Sequence, residues 1–129
     1  YNYNMVFRDV QAVLDAGDPY NHVKSAAELH PLLMFEMQDD QTIPNSSTDA
    51  LIAAASLTKA TAIGPNPVSE GAGAFTLFTE GNHGTLLNPA GSLAATVEMQ
   101  TQAVLFGVTA AQPGGPFVVI TNPTVLDLD

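Results

Sequence analysis

The chain has 129 residues and a net charge of −10 at pH 7, because 13 acidic side chains oppose 3 Lys and Arg. A negative charge of this size repels phosphate backbones and anionic lipids, which argues against nucleic-acid binding. The hydrophobic fraction of 46% excludes intrinsic disorder, and no apolar run reaches the roughly 20 residues of a membrane-spanning helix. Since the sequence has no cysteine, disulfides, thiol nucleophiles and Cys-ligated metals are excluded.

The first part of the chain predicts a helix and a strand. Apolar residues at i, i+4, i+7 and i+8 predict a helix over residues 5–16, which Asp18-Pro19 then stops. Residues 17–30 are polar and are predicted to be irregular. The continuous apolar run Leu32–Met37 is typical of a strand that is buried in a parallel sheet.

A helix, a loop and a second strand are predicted next. Residues 46–49 (SSTD) resemble a capping box, which favours a helix over residues 47–59. Residues 63–73 are rich in Gly and Pro and predict a loop. Residues 74–78 (AFTLF) are mostly apolar and predict the second strand.

The last part of the chain predicts one long helix and a third strand. Ser92 is a typical N-cap for a helix that runs to about residue 106 and ends at Gly107. After a Pro- and Gly-rich break, residues 117–121 predict a strand. The apolar residues expected on one side of the helix that begins after Ser92 are Leu93, Val97, Ala103 and Val104.

Strands and helices that alternate at this spacing predict an α/β unit over residues 1–129, with a parallel sheet and right-handed crossover helices. In such sheets the functional groups gather in loops at the carboxyl ends of the strands. Asp40 lies three residues past the first strand, and His83 lies five residues past the second. We therefore expect both side chains at the same edge of the sheet.

Two segments resemble those of the α/β-hydrolase family. Residues 31–44 are similar to the acid-bearing strand and loop, in which an apolar strand precedes Asp-x-x-Val/Ile-Pro, written here as residues 40–44 (DQTIP). Residues 80–84 (EGNHG) are similar to the histidine loop. The order of acid before histidine is also the order that this family has after its serine.

Within that family, the chain most resembles bacterial extracellular lipases of the virulence-factor type. The likeness is carried by Asp18-Pro19, residues 40–46 (DQTIPNS) and residues 98–102 (EMQTQ), and it covers about residues 6–124. It implies a partial sheet that is the C-terminal part of an α/β-hydrolase fold. Met37 departs from the pattern, because many relatives have Gly in the turn before the acid.

The resemblance implies a role for each of the two residues. His83 would take the proton from a serine hydroxyl and return it to the leaving alcohol, while Asp40 would accept a hydrogen bond from the other ring nitrogen. The implied parent is a secreted or cell-surface enzyme that hydrolyses lipids or small esters without a cofactor. No Gly-x-Ser-x-Gly occurs in the 129 residues. We therefore expect the serine and the oxyanion donors upstream of Tyr1, and no activity from this chain alone.

Simpler interpretations of these residues stay open. Asp40 is alternatively a turn residue that hydrogen-bonds its own backbone, and His83 is alternatively an ordinary loop histidine. A calcium site at Asp39 and Asp40 lacks the alternating Asp/Asn pattern of such loops. His22 and His30 are interpreted as surface residues, and no two histidines have zinc-ligand spacing.

A different class of function is also open. A chain with part of a parallel sheet has an unpaired edge strand, which invites pairing with another strand. The chain would then be a non-catalytic, hydrolase-derived α/β protein that forms a homo-oligomer through this edge. Association with a missing N-terminal part of the hydrolase is the other partner that the pattern suggests.

Overall fold

Four α-helices, one short 3-10 helix (Pro123–Val125) and six strands make up the computed structural model, which describes residues 3–69 and 71–129. The helices are α1 (Tyr3–Asp15), α2 (Pro19–Leu29), α3 (Asn45–Ala55) and α4 (Leu93–Ala110). The strands are β1 (Leu32–Met37), β2 (Thr58–Lys59), β3 (Gly64–Pro67), β4 (Gly73–Phe78), β5 (Phe117–Ile120) and β6 (Leu126–Asp127). None of the helices described is long and apolar enough to cross a membrane.

The main sheet is mixed and has β4 at its centre. β1 pairs with β4 in parallel from Leu32↔Gly73 to Met37↔Phe78, and β2 also runs parallel to β4. β6 pairs with β4 in the antiparallel direction. β1 forms one edge of this sheet, because its other side has no strand partner among the described residues. The α/β class is therefore confirmed, whereas the sheet is only partly parallel.

The third predicted strand does not join the parallel sheet. β5 pairs antiparallel with β3 in a separate two-stranded sheet, although β3 lies in the segment predicted to be a loop. Two prolines are tolerated in β3 because, among the described residues, this strand has a partner on one side only. The side chain of Asn66 stabilises the pairing by donating to the carbonyl oxygens of Ala62, Gly64 and Val118.

The prediction that residues 17–30 are irregular was wrong, because they include helix α2. The Asp18 side chain accepts a hydrogen bond from the backbone N–H of Tyr20, and Pro19 occupies the first turn. These two residues therefore start a helix, as Asp and Pro commonly do, in addition to following α1. Val23 and Ala27 lie one turn apart and are both buried.

Helix α3 starts and ends differently from the prediction. Its N-cap is Pro44, with no side-chain hydrogen bond, so the capping box is not formed. The helix ends at Ala55, because Ser56 adopts a left-handed conformation with φ of 54°. The backbone N–H of Leu57 then bonds the carbonyl of Ile52, which closes the last turn.

Helix α4 begins as predicted but buries a different side. Ser92 caps it by accepting from the N–H of Ala95, and the helix continues through Gly107 to Ala110. Its buried residues are Ala95, Thr96, Glu98, Met99 and Gln102, whereas Leu93, Val97 and Val104 are exposed. The predicted apolar side was therefore wrong.

A buried polar network explains this orientation of α4. Gln102 accepts from the Thr76 hydroxyl at 3.0 Å and donates to the Glu98 carboxylate at 2.8 Å. The same carboxylate accepts from the backbone N–H groups of Thr121 and Asn122. Because every buried polar group needs a partner, these bonds make burial of Glu98 and Gln102 tolerable and connect α4 to β4 and to the turn after β5.

Apolar cores lie on both faces of the main sheet. One core includes Phe78 and Met99, and the ring of Phe35 contacts Phe78 edge-on with centroids 5.9 Å apart. The other includes Val23, Ala27 and Leu57, and packs α2 and α3 onto the sheet. With a core on each face, the sheet fixes where the loops after β1 and β4 emerge.

Candidate active site

The loop after β1 presents the carboxylate of Asp40. Gln38 extends the pairing of β1, because its N–H bonds the carbonyl of Phe78 at 2.8 Å. Asp39 then takes a left-handed conformation with φ of 56° and turns the chain. Asp40 Oδ1 accepts from the N–H groups of Thr42 at 2.8 Å and Ile43 at 3.2 Å. The local turn bonding considered for Asp40 is thus present, and it leaves Oδ2 available.

The loop after β4 presents His83 and is held by its neighbours. Gly81 has a φ of 120°, and a Cβ at this position would clash with the side chain of Thr85. The buried hydroxyl of Thr85 accepts from the N–H of Asn82 at 2.7 Å. The Asn82 side chain in turn accepts from the N–H of Gly84 at 3.0 Å. His83 therefore lies at the tip of a tightly bonded turn.

The two loops meet in a hydrogen bond between His83 Nδ1 and Asp40 Oδ2, at 2.8 Å. The side chain of Asp40 is 10% exposed and that of His83 is 52% exposed. The pKa of Asp40 is lowered, mainly by the hydrogen bond from the Thr42 N–H. Burial acts in the opposite direction and raises the pKa, whereas the bond to His83 lowers it further. An ionised carboxylate at Nδ1 favours the tautomer with the proton on Nδ1. In that tautomer Nε2 carries no proton and can accept one.

A cleft of about 340 Å³ adjoins this pair. Its lining includes five consecutive residues of β1, whose side chains alternate between the two faces of the sheet. The cleft therefore runs along the edge of β1 that has no partner strand among the described residues. The apolar lining residues are Leu33, Met34, Phe35, Met37, Ile43, Leu86 and Met99. The polar ones are Glu36, Asp40, Thr48 and His83. The arrangement combines a basic imidazole with space for an apolar group.

The structure brings Asp40 and His83 together and leaves the other candidates apart. His22 and His30 are exposed, and Nε2 of His22 lies 3.0 Å from the carbonyl of Ala16. Asp39 lies in the turn itself and is exposed. Across residues 3–69 and 71–129, no group of three or more His, Cys, Asp or Glu side chains could hold a metal ion.

Two residues beside the pair were missed by the sequence analysis. Glu36 in β1 is buried although it is acidic, and Asn45 at the start of α3 bonds both Glu36 and the backbone of Asp40. An acidic residue within an apolar strand was the signal for Glu36. Asn45 had no such signal, because its partners are defined only once β1 and α3 meet.

Comparisons with known proteins identify no relative of this chain. The sequence matches no protein-family model, and the searches of curated proteins and of solved structures gave no match. The likeness to α/β-hydrolases thus rests on the residues of this chain.

Proposed function

We propose that this chain provides the acid and the histidine of a Ser-Asp-His triad in a carboxylic ester hydrolase, whose serine lies outside the 129 residues. The observation that carries the proposal is the 2.8 Å bond between Asp40 Oδ2 and His83 Nδ1. It joins the two loops in which the acid and the histidine of such enzymes are expected. The absence of Gly-x-Ser-x-Gly in the chain is the reason for assigning the serine to another segment.

The proposed chemistry follows from the tautomer that Asp40 favours. With the proton on Nδ1, Nε2 of His83 accepts the proton of the serine hydroxyl as the oxygen attacks the ester carbonyl. The imidazolium that forms is stabilised by the carboxylate of Asp40. Its Nε2 proton then goes to the leaving alcohol, and the same nitrogen activates the water that hydrolyses the acyl-enzyme.

The cleft supports an ester with an apolar acyl group as the substrate. Seven of its eleven lining residues are apolar, and His83 lies among the four polar ones. An acyl chain in contact with this lining would be removed from water, which favours binding. Lipids and small apolar esters are therefore the proposed substrate class, and the resemblance to extracellular lipases adds a secreted or cell-surface location to the proposal.

The unpaired edge of β1 supports a second candidate. Because β1 has no partner on its outer side within the described residues, another strand can extend the sheet there. In the triad proposal that strand belongs to the serine-bearing part. In the alternative it comes from a second copy, and the protein is a non-catalytic oligomer. Sedimentation at several concentrations tests the alternative, which a strictly monomeric chain would contradict.

Ester hydrolysis by the product of the full reading frame tests the triad proposal. His83→Ala should abolish hydrolysis of a nitrophenyl ester, whereas His22→Ala, which changes an exposed histidine on α2, should leave it unchanged. A fluorophosphonate probe should label one serine outside these 129 residues. Full hydrolysis by His83→Ala, or a reading frame that encodes no such serine, would contradict the proposal.

A further inference from the structure

We infer that Asn45 is a positioning residue that holds the backbone of Asp40 so that its carboxylate meets His83. This inference rests on the proposed triad and adds a residue to it. Asn45 Oδ1 accepts from the backbone N–H of Asp40 at 3.2 Å. Its Nδ2 donates to the carbonyl of Met37 at 2.7 Å and to Glu36 Oε1 at 2.8 Å. One amide side chain thus connects the end of β1 to the residue that follows the turn.

The conformation of the turn before Asp40 explains what these bonds add. Between Met37 and Asp40 the chain passes through Asp39, whose left-handed backbone is less favourable for Asp than for glycine. The bonds of Asp40 Oδ1 to Thr42 and Ile43 are local, so they orient the carboxylate within the turn without attaching the turn to the sheet. Gln38 connects the start of the turn to β4, and Asn45, the first residue of α3, connects Asp40 at the end of the turn to the carbonyl of Met37 in β1.

The three partners of Asn45 also determine which way its amide faces. Met37 and Glu36 offer acceptors on one side, and Asp40 offers a donor on the other. Only one of the two amide orientations satisfies all three partners. The side chain of Glu36 is buried, so its bond from Asn45 also compensates for placing a carboxylate there.

Long-range proton–nitrogen NMR spectra of the 129-residue chain test this inference, because they report which nitrogen of His83 carries the proton. We expect the Nδ1–H form to dominate when His83 is neutral, and its share to fall severalfold in Asn45→Ala and Asn45→Asp. Asn45→Asp keeps the shape of the side chain but replaces the donor with an oxygen that faces two acceptors. Glu36→Gln keeps an acceptor for Asn45 and should retain the tautomer, as should the control Asn21→Ala, which removes an exposed amide on α2.

The outcomes separate this inference from the triad proposal. If both folded Asn45 variants keep the wild-type tautomer, Asn45 does not position the acid and the inference is wrong. Loss of the whole fold in both variants would also overturn it, since Asn45 would then be a general determinant of stability. If wild-type His83 does not favour the Nδ1–H form, or if Asp40→Asn leaves that form unchanged, the triad proposal itself fails.

Discussion

His83 Nδ1 and Asp40 Oδ2 lie 2.8 Å apart although 43 positions separate the two residues. The parallel pairing of β1 and β4 explains the contact. Met37 and Phe78 are partners in register at the carboxyl ends of these strands, so the loops that follow leave the sheet side by side. Each loop is also held by bonds to neighbouring residues, which limits the conformations available to the pair.

The hydrogen bonds of Asp40 predict a dependence of stability on pH. The Thr42 N–H, followed by the contact with His83, lowers the pKa of Asp40 in the folded state. Because the folded pKa lies below the unfolded value of about 3.9, the contribution of Asp40 to stability is present above that pH and is lost as pH falls through the folded pKa. The difference in free energy of unfolding between wild type and Asp40→Asn should therefore shrink in acid, as measured by urea unfolding.

An exposed aspartate on α3 provides the control for this pH dependence. Asp49→Asn changes one carboxyl away from the pair and should differ from wild type by a small amount at every pH. A difference between wild type and Asp40→Asn that stays constant into acid would contradict the account.

The buried ring of Phe78 should be the main apolar support for the end of β4. Its side chain is fully buried and contacts Phe35 edge-on. Phe78→Ala should lower the free energy of unfolding by about 3–5 kcal/mol in urea titrations, because it removes apolar contacts and leaves a cavity. Leu87→Ala is the matched control, since Leu87 is 86% exposed. Equal effects of the two substitutions would rule out this core as the support.

The polar network of α4 should also be needed for stability. Gln102→Leu removes the partner of the Thr76 hydroxyl and one of the donors to Glu98. Leaving buried polar groups without partners should cost about 1–3 kcal/mol in the free energy of unfolding. Gln112→Leu, at an exposed position after α4, should have little effect. A stabilising effect of Gln102→Leu would show that the network is dispensable.

The elements that carry the candidate site were predictable because their signals are local. The apolar runs of β1 and β4 indicate buried strands, and the topology of parallel sheets then places Asp40 and His83 at one edge. Ser92 likewise marks the start of α4 through its own cap.

Other features depend on partners that are distant in the sequence. Glu98 and Gln102 look like the exposed side of α4, and only the turn at Thr121 and Asn122 together with Thr76 makes their burial favourable. β3 contains two prolines and becomes a strand because β5 lies beside it. Asp18-Pro19 can mark the end of one helix or the start of the next, and the packing of α2 against α3 favours the start of a helix here.

The tautomer of His83 in wild type and in Asp40→Asn tests the central claim most directly. In long-range proton–nitrogen spectra of neutral His83, we expect the proton on Nδ1 in wild type and a shift toward Nε2 in Asp40→Asn, because the acceptor at Nδ1 is weakened. Asp39→Asn, which changes the exposed neighbouring carboxyl, should keep the wild-type spectrum. The account is contradicted if wild-type His83 carries its proton on Nε2, or if Asp39→Asn and Asp40→Asn shift the tautomer equally.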